Sequence, residues 1–496
     1  MSVATDPEVA SKAEPATFDS LDPATGEVLA SYPVADRHDV DAAVSRAREA
    51  AVWWADLGFE GRRSRLGAWR RALARRAEEL AELVHRENGK PKADAVLEIM
   101  LTIEHLAWAA KAAPKVLGPH RVGSGMLAAN QAATLEYSPL GVVGVIGPWN
   151  YPVYTPMGSI AYALAAGNAV VFKPSEYTPG VGAWLAESFA DAVTGPPVFQ
   201  LLTGLGETGA ALCRAQIDKL AFTGSSATGR KVMATCAENL TPVLMECGGK
   251  DAMIVDDDAD VAAAADAALW GAMSNAGQTC IGIERVYVTE RNYDAFVKEV
   301  TTRAGAVHAG SSYGPITMPS QIKIIERHVN EALDAGGRAV VGGRESIRPP
   351  FVDPVVLVDV PADASANTEE TFGPTLTVTK VRDGDEAVEQ SNATGYGLAG
   401  AVFGKARGME LARRMRTGMT SINSVIAFAT VPQLPFGGVG ESGFGRIHGA
   451  DGLREFTRPK AITRQRFAMP VPLTSFRRPA AATGLLLRLI RAQHGR

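Results

Sequence analysis

The stretch Gly141–Asn150, "GVVGVIGPWN", marks the point where the chain changes character. Its apolar run is too short for an ordinary helix and stops at Gly-Pro, so it reads as a buried strand leading into a turn. The pattern returns in "NAVVFK", "PVFQLL", "KLAFTG" and "PVLMECGG", with helix-length segments between them. Short apolar strands alternating with helices imply parallel strands joined by crossover helices, a doubly wound α/β unit. The rhythm restarts after Gly249 with "AMIV", "RVYVT", "RAVVGG", "TLTVTK" and "LAGAVFG", which reads as a second α/β unit. Upstream, "FDSLDPATGEVLASYPV" gives two short strands around an Asp-Pro…Gly turn. From Glu60 to His85, apolar residues at helical spacing (Leu66, Trp69, Leu73, Leu80, Val84) predict one helix ending at "ENGKP". "KADAVLEIMLTIEHLAWAAKAA" predicts another that ends before Pro114.

The 496 residues are 46% hydrophobic with a formal net charge of -4, enough apolar material for a large core and no basic footprint for nucleic acid. No run approaches the roughly 18 apolar residues of a membrane span. The N-terminus, expected to be disordered over 1–17, lacks the features of a signal peptide. Cys213, Cys236, Cys247 and Cys280 have neither metal-ligand nor disulfide-framework spacing, so no metal and a reducing, cytoplasmic compartment are expected.

Several short stretches carry chemistry. Gly204, Gly206 and Gly209 in "TGLGETG" have the spacing of a dinucleotide fingerprint, but no acidic residue follows about 20 positions on, so a plain turn stands as the alternative. In "KLAFTGSSATGRKV" a strand ends and Gly224 and Ser225 open a helix, whose free N–H groups suit a pyrophosphate. Cys280 in "NAGQTC" is either an inert core thiol or a nucleophile. Glu246 in "LMECGGK" ends an apolar strand, where a carboxylate is costly to bury without a task, although an ion pair would also account for it. Asn150, bracketed by prolines, is a turn residue or a rigid oxyanion donor.

Together "GPWNYP", "AAGNAVVFKPSE", "AFTGSSATG", "MECGGK", "NAGQTC", "EETFGP" and "PFGGVGESGFGR" follow one another in an order and spacing that resembles the aldehyde dehydrogenase superfamily from about Phe18 to Phe467. The resemblance implies two doubly wound α/β domains plus a small β bridging element. It divides the chain into an NAD(P)-binding domain (18–120 and 140–247), a catalytic domain (248–446) and a bridging element (121–139 and 447–470), and the chain departs from the family's usual pattern with a basic amphipathic tail (471–496). It implies Cys280 as nucleophile, Glu246 as general base for thioester hydrolysis and Asn150 as oxyanion donor. Trp149, Lys173, Glu176, Gly224, Ser225, Glu370 and Phe372 are implied as cofactor contacts. A carboxylate at Glu176 favours NAD, with Lys173 leaving NADP open. The bridging strands imply a homodimer or homotetramer. Ile447 stands where many members of the family have Glu, which removes proton relay through that position, and Cys247 replaces a usual Leu.

Rival readings within the resemblance are a coenzyme A-acylating enzyme, which Glu246 argues against, and an inactive structural homologue, which the intact Cys280, Glu246 and Asn150 argue against. The substrate expected is a medium-chain or aromatic aldehyde. The Arg residues that succinic semialdehyde enzymes of the family place at the positions of Gly158 and Ser274 are missing. Tyr151, Thr155, Gly158, Thr279, Ile281 and Phe428 form an expected uncharged tunnel. Succinate semialdehyde remains the alternative substrate, gripped by an Arg from elsewhere such as Arg285. In the tail, Leu485, Leu486, Leu489 and Ile490 share one helical face flanked by Arg488 and Arg491, the pattern either of peripheral membrane contact or of a helix docked on protein.

Overall fold

The computed structural model describes residues 16–125, 128–469 and 475–495. The expected disorder of 1–17 falls largely outside them, but Thr17 already pairs with Pro33 in the antiparallel hairpin Thr17–Leu21 and Val28–Pro33.

Five parallel strands form the first sheet, in the order Val243–Cys247, Lys219–Gly224, Val142–Ile146, Ala169–Lys173, Phe199–Leu201. Gly443–Phe444 adds an antiparallel edge beside Val243–Cys247. The winding reverses between Val142–Ile146 and Lys219–Gly224, so a crevice opens beyond their carboxyl ends. Under the sheet, Trp54 and Trp69 are wholly buried and meet Phe189 edge-on, with Trp69 at 5.0 Å between centroids. Each indole N–H is satisfied, by Leu164 O and Ser188 Oγ, so these large rings bury without a polar penalty.

The second sheet runs Arg338–Val341, Val355–Val358, Thr375–Val381, Ile283–Thr289, Asp251–Val255, Ala399–Phe403, Met419–Ile422, parallel except for the first pair. A third sheet joins His120–Val122, Gln131–Pro139 and Thr457–Gln465. The fold class is therefore the one expected, with two α/β sheets and a small bridging sheet.

Local readings need correction where long-range contacts intervene. The helix Glu60–His85 is two, Gly58–Arg75 and Ala77–Asn88. Arg76 leaves helical geometry between them, grips Glu79 through two hydrogen bonds and covers the Trp184 ring at 4.7 Å. The helix Lys92–Leu117 runs through Pro114, which forfeits one donor near the end while its carbonyl still accepts from Gly118. Helix Arg37–Asp56, capped by Asp36, and strands Val355–Val358 and Met419–Ile422 were not singled out from the sequence. The bridging boundary drawn at 447 moves to Thr457, because Ile447 is buried in the first core and helix Gly449–Glu455 packs on helices Lys92–Leu117 and Tyr154–Ala166.

Candidate active site

Three connections converge on the seam between the two large sheets. Strand Val142–Ile146 delivers Trp149 and Asn150, strand Val243–Cys247 carries Glu246, and the loop before Ile283–Thr289 carries Cys280. That loop is held in an unusual conformation. Asn275, Ala276 and Gly277 are all left-handed, with φ of 52°, 57° and 70°. A Cβ on Gly277 would lie 2.0 Å from Gly373 O, so only glycine lets "NAGQTC" and "EETFGP" touch. Gln278 ties the loop down, donating to Asn275 O and Pro315 O and accepting from Thr317 N. Strain of this kind persists only where the surroundings over-determine it.

Asn150 is fixed with equal care. Its Nδ2 donates to Gln278 O at 3.0 Å, two residues before Cys280. Its own carbonyl accepts from Lys90 Nζ at 2.8 Å and from Asn275 Nδ2 at 3.1 Å. Lys90 also pairs with Glu98 at 2.6 Å, both side chains wholly buried, and Glu98 Oε1 accepts from Val153 N and Tyr154 N. This ion pair, missed in the sequence, braces the whole turn after the strand. Its trace there was a Glu on the buried face of a helix beside Ala95, Ile99 and Thr102.

The acids and the thiol are electrostatically opposed. Glu246 is 3% exposed, and neither carboxylate oxygen has a hydrogen-bond partner among the described residues. Burial lifts its pKa well above the usual carboxylate range, Arg446 offsets this in part, and Glu455 adds to it. Gly437, at φ 150°, leaves it room, since a Cβ there would come within 2.7 Å of Glu246 Oε1. Burial also pushes the Cys280 thiol up, with the negative charges of Glu370, Asp251 and Glu246 adding to the shift. Glu370 accepts from Gly249 N at 2.9 Å and is raised to about 8, first by burial and then by Glu284. A buried carboxylate with no partner, coupled to a thiol, has the electrostatics of a reactive site rather than of packing.

Two cavities flank this seam. A narrow tunnel of about 90 Å³ leads to Cys280 past Tyr151, Tyr154, Thr155, Ser274, Thr279, Ile281 and Phe436. Its mouth is rimmed by Leu97 and Trp270, 42% and 46% exposed. Two of the expected lining residues are elsewhere. Gly158 faces inward, where a Cβ would meet Ile447 Cδ1 at 2.8 Å and His448 Nε2 at 2.9 Å, and Phe428 packs behind Phe436 in the core. Nor is the wall uncharged, because Lys90, Glu98 and Asp94 line it. Lys90 and Glu98 neutralise each other. Asp94 makes no side-chain hydrogen bond or salt bridge among the described residues, and burial raises its pKa. Arg285 is absent from the lining, committed to Lys250 O, Ser391 O and the Tyr287 hydroxyl.

The second cavity, about 530 Å³, lies over the crevice of the first sheet and brings together Trp149, Lys173, Glu176, Gly224 and Ser225. Ser225 caps helix Ser226–Ala237, so that helix presents its positive end to the cleft. Lys173 Nζ stands 3.7 Å from Glu176. A lysine, a carboxylate and a helix N-terminus around a cleft of this size suit the ribose and pyrophosphate of a dinucleotide. Leu205, Gly206 and Gly209 of "TGLGETG" form the opposite wall, after the third strand rather than the first, so these glycines take part without being the usual fingerprint. Glu370 and Phe372 lie outside this cleft, with Phe372 edge-on to Trp149 at 5.6 Å.

Known proteins share this sequence pattern and this fold. The pattern of the aldehyde dehydrogenase family matches residues 9–462. The 4,4'-diapolycopene aldehyde oxidase of Methylomonas sp. is 35% identical over 94% of this chain and 89% of its own length. A Mycobacterium ulcerans protein named "Putative succinate-semialdehyde dehydrogenase", of the NADP(+) type, is 35% identical over 89% of this chain and 87% of its own. The crystal structure of Staphylococcus aureus betaine aldehyde dehydrogenase in complex with NAD+ superposes with a TM-score of 0.87 at 29% identity, covering 93% of this chain and 96% of that one. With its family pattern, its fold and a dinucleotide-shaped cleft beside a half-buried thiol, the chain belongs to the aldehyde dehydrogenase family and is an NAD(P)-dependent aldehyde dehydrogenase.

Proposed function

We propose that the enzyme oxidises medium-chain or aromatic aldehydes to carboxylic acids through a thioester on Cys280. The observation that carries the substrate reading is the tunnel wall, which has no Arg and whose one unpaired charge is the acidic Asp94. An incoming carboxylate would lose its hydration and meet a like charge, whereas each buried methylene gains about 0.8 kcal/mol.

In this reading the Cys280 thiol gives up its proton to water, and Sγ bonds to the aldehyde carbon as the carbonyl electrons move onto oxygen. Asn150 Nδ2 and the Cys280 backbone N–H hold that oxyanion, each donor worth about 3 kcal/mol. Bound NAD(P)+ supplies the acceptor for the hydride that leaves the same carbon. Glu246 takes the proton of the water that attacks the thioester, and the C–S bond breaks to release acid and thiol. Desolvation makes the ionised Glu246 an unusually strong base, so its environment suits this step. Lys173, Glu176, Gly224 and Ser225 would hold the adenosine and pyrophosphate half, with Trp149 lining the pocket, and Glu370 and Phe372 would hold the nicotinamide half. The exposed edge of Thr457–Gln465 supports pairing with a second copy.

An aldehyde panel tests the substrate. Hexanal or benzaldehyde should exceed succinic semialdehyde in kcat/KM, and the reverse order overturns the reading. Stopped-flow of Glu246→Gln tests the mechanism. One burst of NADH followed by a stall is expected, and loss of the burst itself would assign Glu246 to Cys280 activation instead.

A further inference from the structure

The end of the chain is built differently from the enzyme body. From Arg466 onward there are six Arg and no Asp or Glu, in a chain whose overall charge is -4. Residues Ala481–His494 form a helix of which only Ala482 is buried. At 100° per residue, Leu485, Leu489, Leu486 and Ile490 cover an arc of roughly 140°, with Arg488 and Arg491 outside it on either side. The centre of this arc is partly packed, with Ala482 buried and Leu486 and Leu489 half-buried, but its two edges stand open. Leu485 and Ile490 are 48% and 55% exposed, and Leu487 on the next face is 48% exposed. Just before the helix, Phe476 is fully exposed beside Arg477 and Arg478.

We propose that this segment is a peripheral anchor for an anionic lipid surface. A helix lying in the headgroup region buries its leucines and Phe476 at the acyl boundary while Arg477, Arg478, Arg488 and Arg491 meet lipid phosphates. No helix among the described residues is long and apolar enough to cross a membrane, so the contact is superficial. Charge complementarity selects this occupant. Two such tails repel one another, and a single amphipathic face of this length gives reversible binding that the arginines bias toward anionic lipid. The tunnel's apolar rim at Leu97 and Trp270 belongs to an enzyme that gains from working where apolar aldehydes dissolve, although the anchor stands independently of the substrate reading.

Flotation of the full chain with vesicles tests the anchor. Vesicles of phosphatidylcholine with about one third phosphatidylglycerol should recover about tenfold more protein than pure phosphatidylcholine, and high salt should erase the difference. Leu485→Ser/Ile490→Ser and Arg477→Gln/Arg478→Gln/Arg488→Gln/Arg491→Gln should each lose the recovery while hexanal turnover stays unchanged. Equal recovery on both vesicle types, or wild-type recovery by both variants, overturns the proposal. So does a change of sedimentation coefficient in the Leu485→Ser/Ile490→Ser variant without vesicles, which would assign the face to a second copy of the chain.

Discussion

The cofactor cleft and the substrate tunnel meet at one seam yet recognise their contents in opposite ways. The cleft is wide and sets a few charged groups into a largely apolar lining: Lys173, Glu176 and the positive end of a helix, all close to strand ends of a single sheet. The tunnel is narrow and mostly apolar, built from helix Lys92–Leu117, the turn at Tyr151–Thr155, the Cys280 loop and the segment Ile426–Phe436. A site made from strand ends tolerates change around it, because each contact rests on its own strand. A site made from separate packed segments depends on every brace. The Lys90–Glu98 pair is such a brace.

Cys280→Ser should show the deepest loss, at least about 10,000-fold in kcat, with NAD affinity by calorimetry unchanged because the cleft does not include residue 280. A parallel loss of NAD affinity would mean the halves are coupled. Lys90→Met by itself strands Glu98, at a cost of about 3–5 kcal/mol in stability. The informative variant is Lys90→Met/Glu98→Gln, which keeps an acceptor for Val153 N and Tyr154 N. Its kcat should fall about 100-fold with KM for NAD unchanged, since a misplaced Asn150 loses most of an oxyanion donor. A kcat within threefold of wild type would reduce the pair to space-filling.

Glu246 makes the tension between stability and activity measurable. Its folded pKa is raised, so its contribution to stability is full below its unfolded pKa of about 4.5 and is lost as pH climbs toward the folded value, at about 1.4 kcal/mol per pH unit. Glu246→Gln removes that slope. Its stability advantage in urea unfolding should therefore widen from pH 5 to pH 7, and parallel pH profiles would contradict the burial of an ionisable, unpartnered acid.

Two smaller effects probe selectivity on each side. Ser274→Arg, made with Asp94→Asn so that the new guanidinium is not absorbed by Asp94, should raise the kcat/KM ratio of succinic semialdehyde to hexanal about tenfold. No change would mean the distal end of the substrate lies away from Ser274. On the cofactor side, Glu176→Gln should improve NADP relative to NAD about fivefold, the scale of a water-screened like-charge contact of about 1 kcal/mol. An unchanged ratio would place the 2′-phosphate out of reach of Glu176.

Much of the architecture follows from the sequence because it is written locally. A run such as Val142–Ile146 can only be a buried strand, and five such runs with helices between them leave few topologies. The helix opening at Ser225 is likewise local, set by capping, whereas the glycine of "NAGQTC" is required by the approach of Gly373 as well as by its φ. What tertiary structure alone decided is which side chains face the tunnel. Gly158 turned to Ile447 and His448, Phe428 withdrew behind Phe436, and Asp94 and Glu98 came in from a helix, with Lys90 from the turn before it, more than fifty residues before Asn150. Helical periodicity fixes which residues share a face but not which neighbour that face meets, and that choice is made by long-range packing.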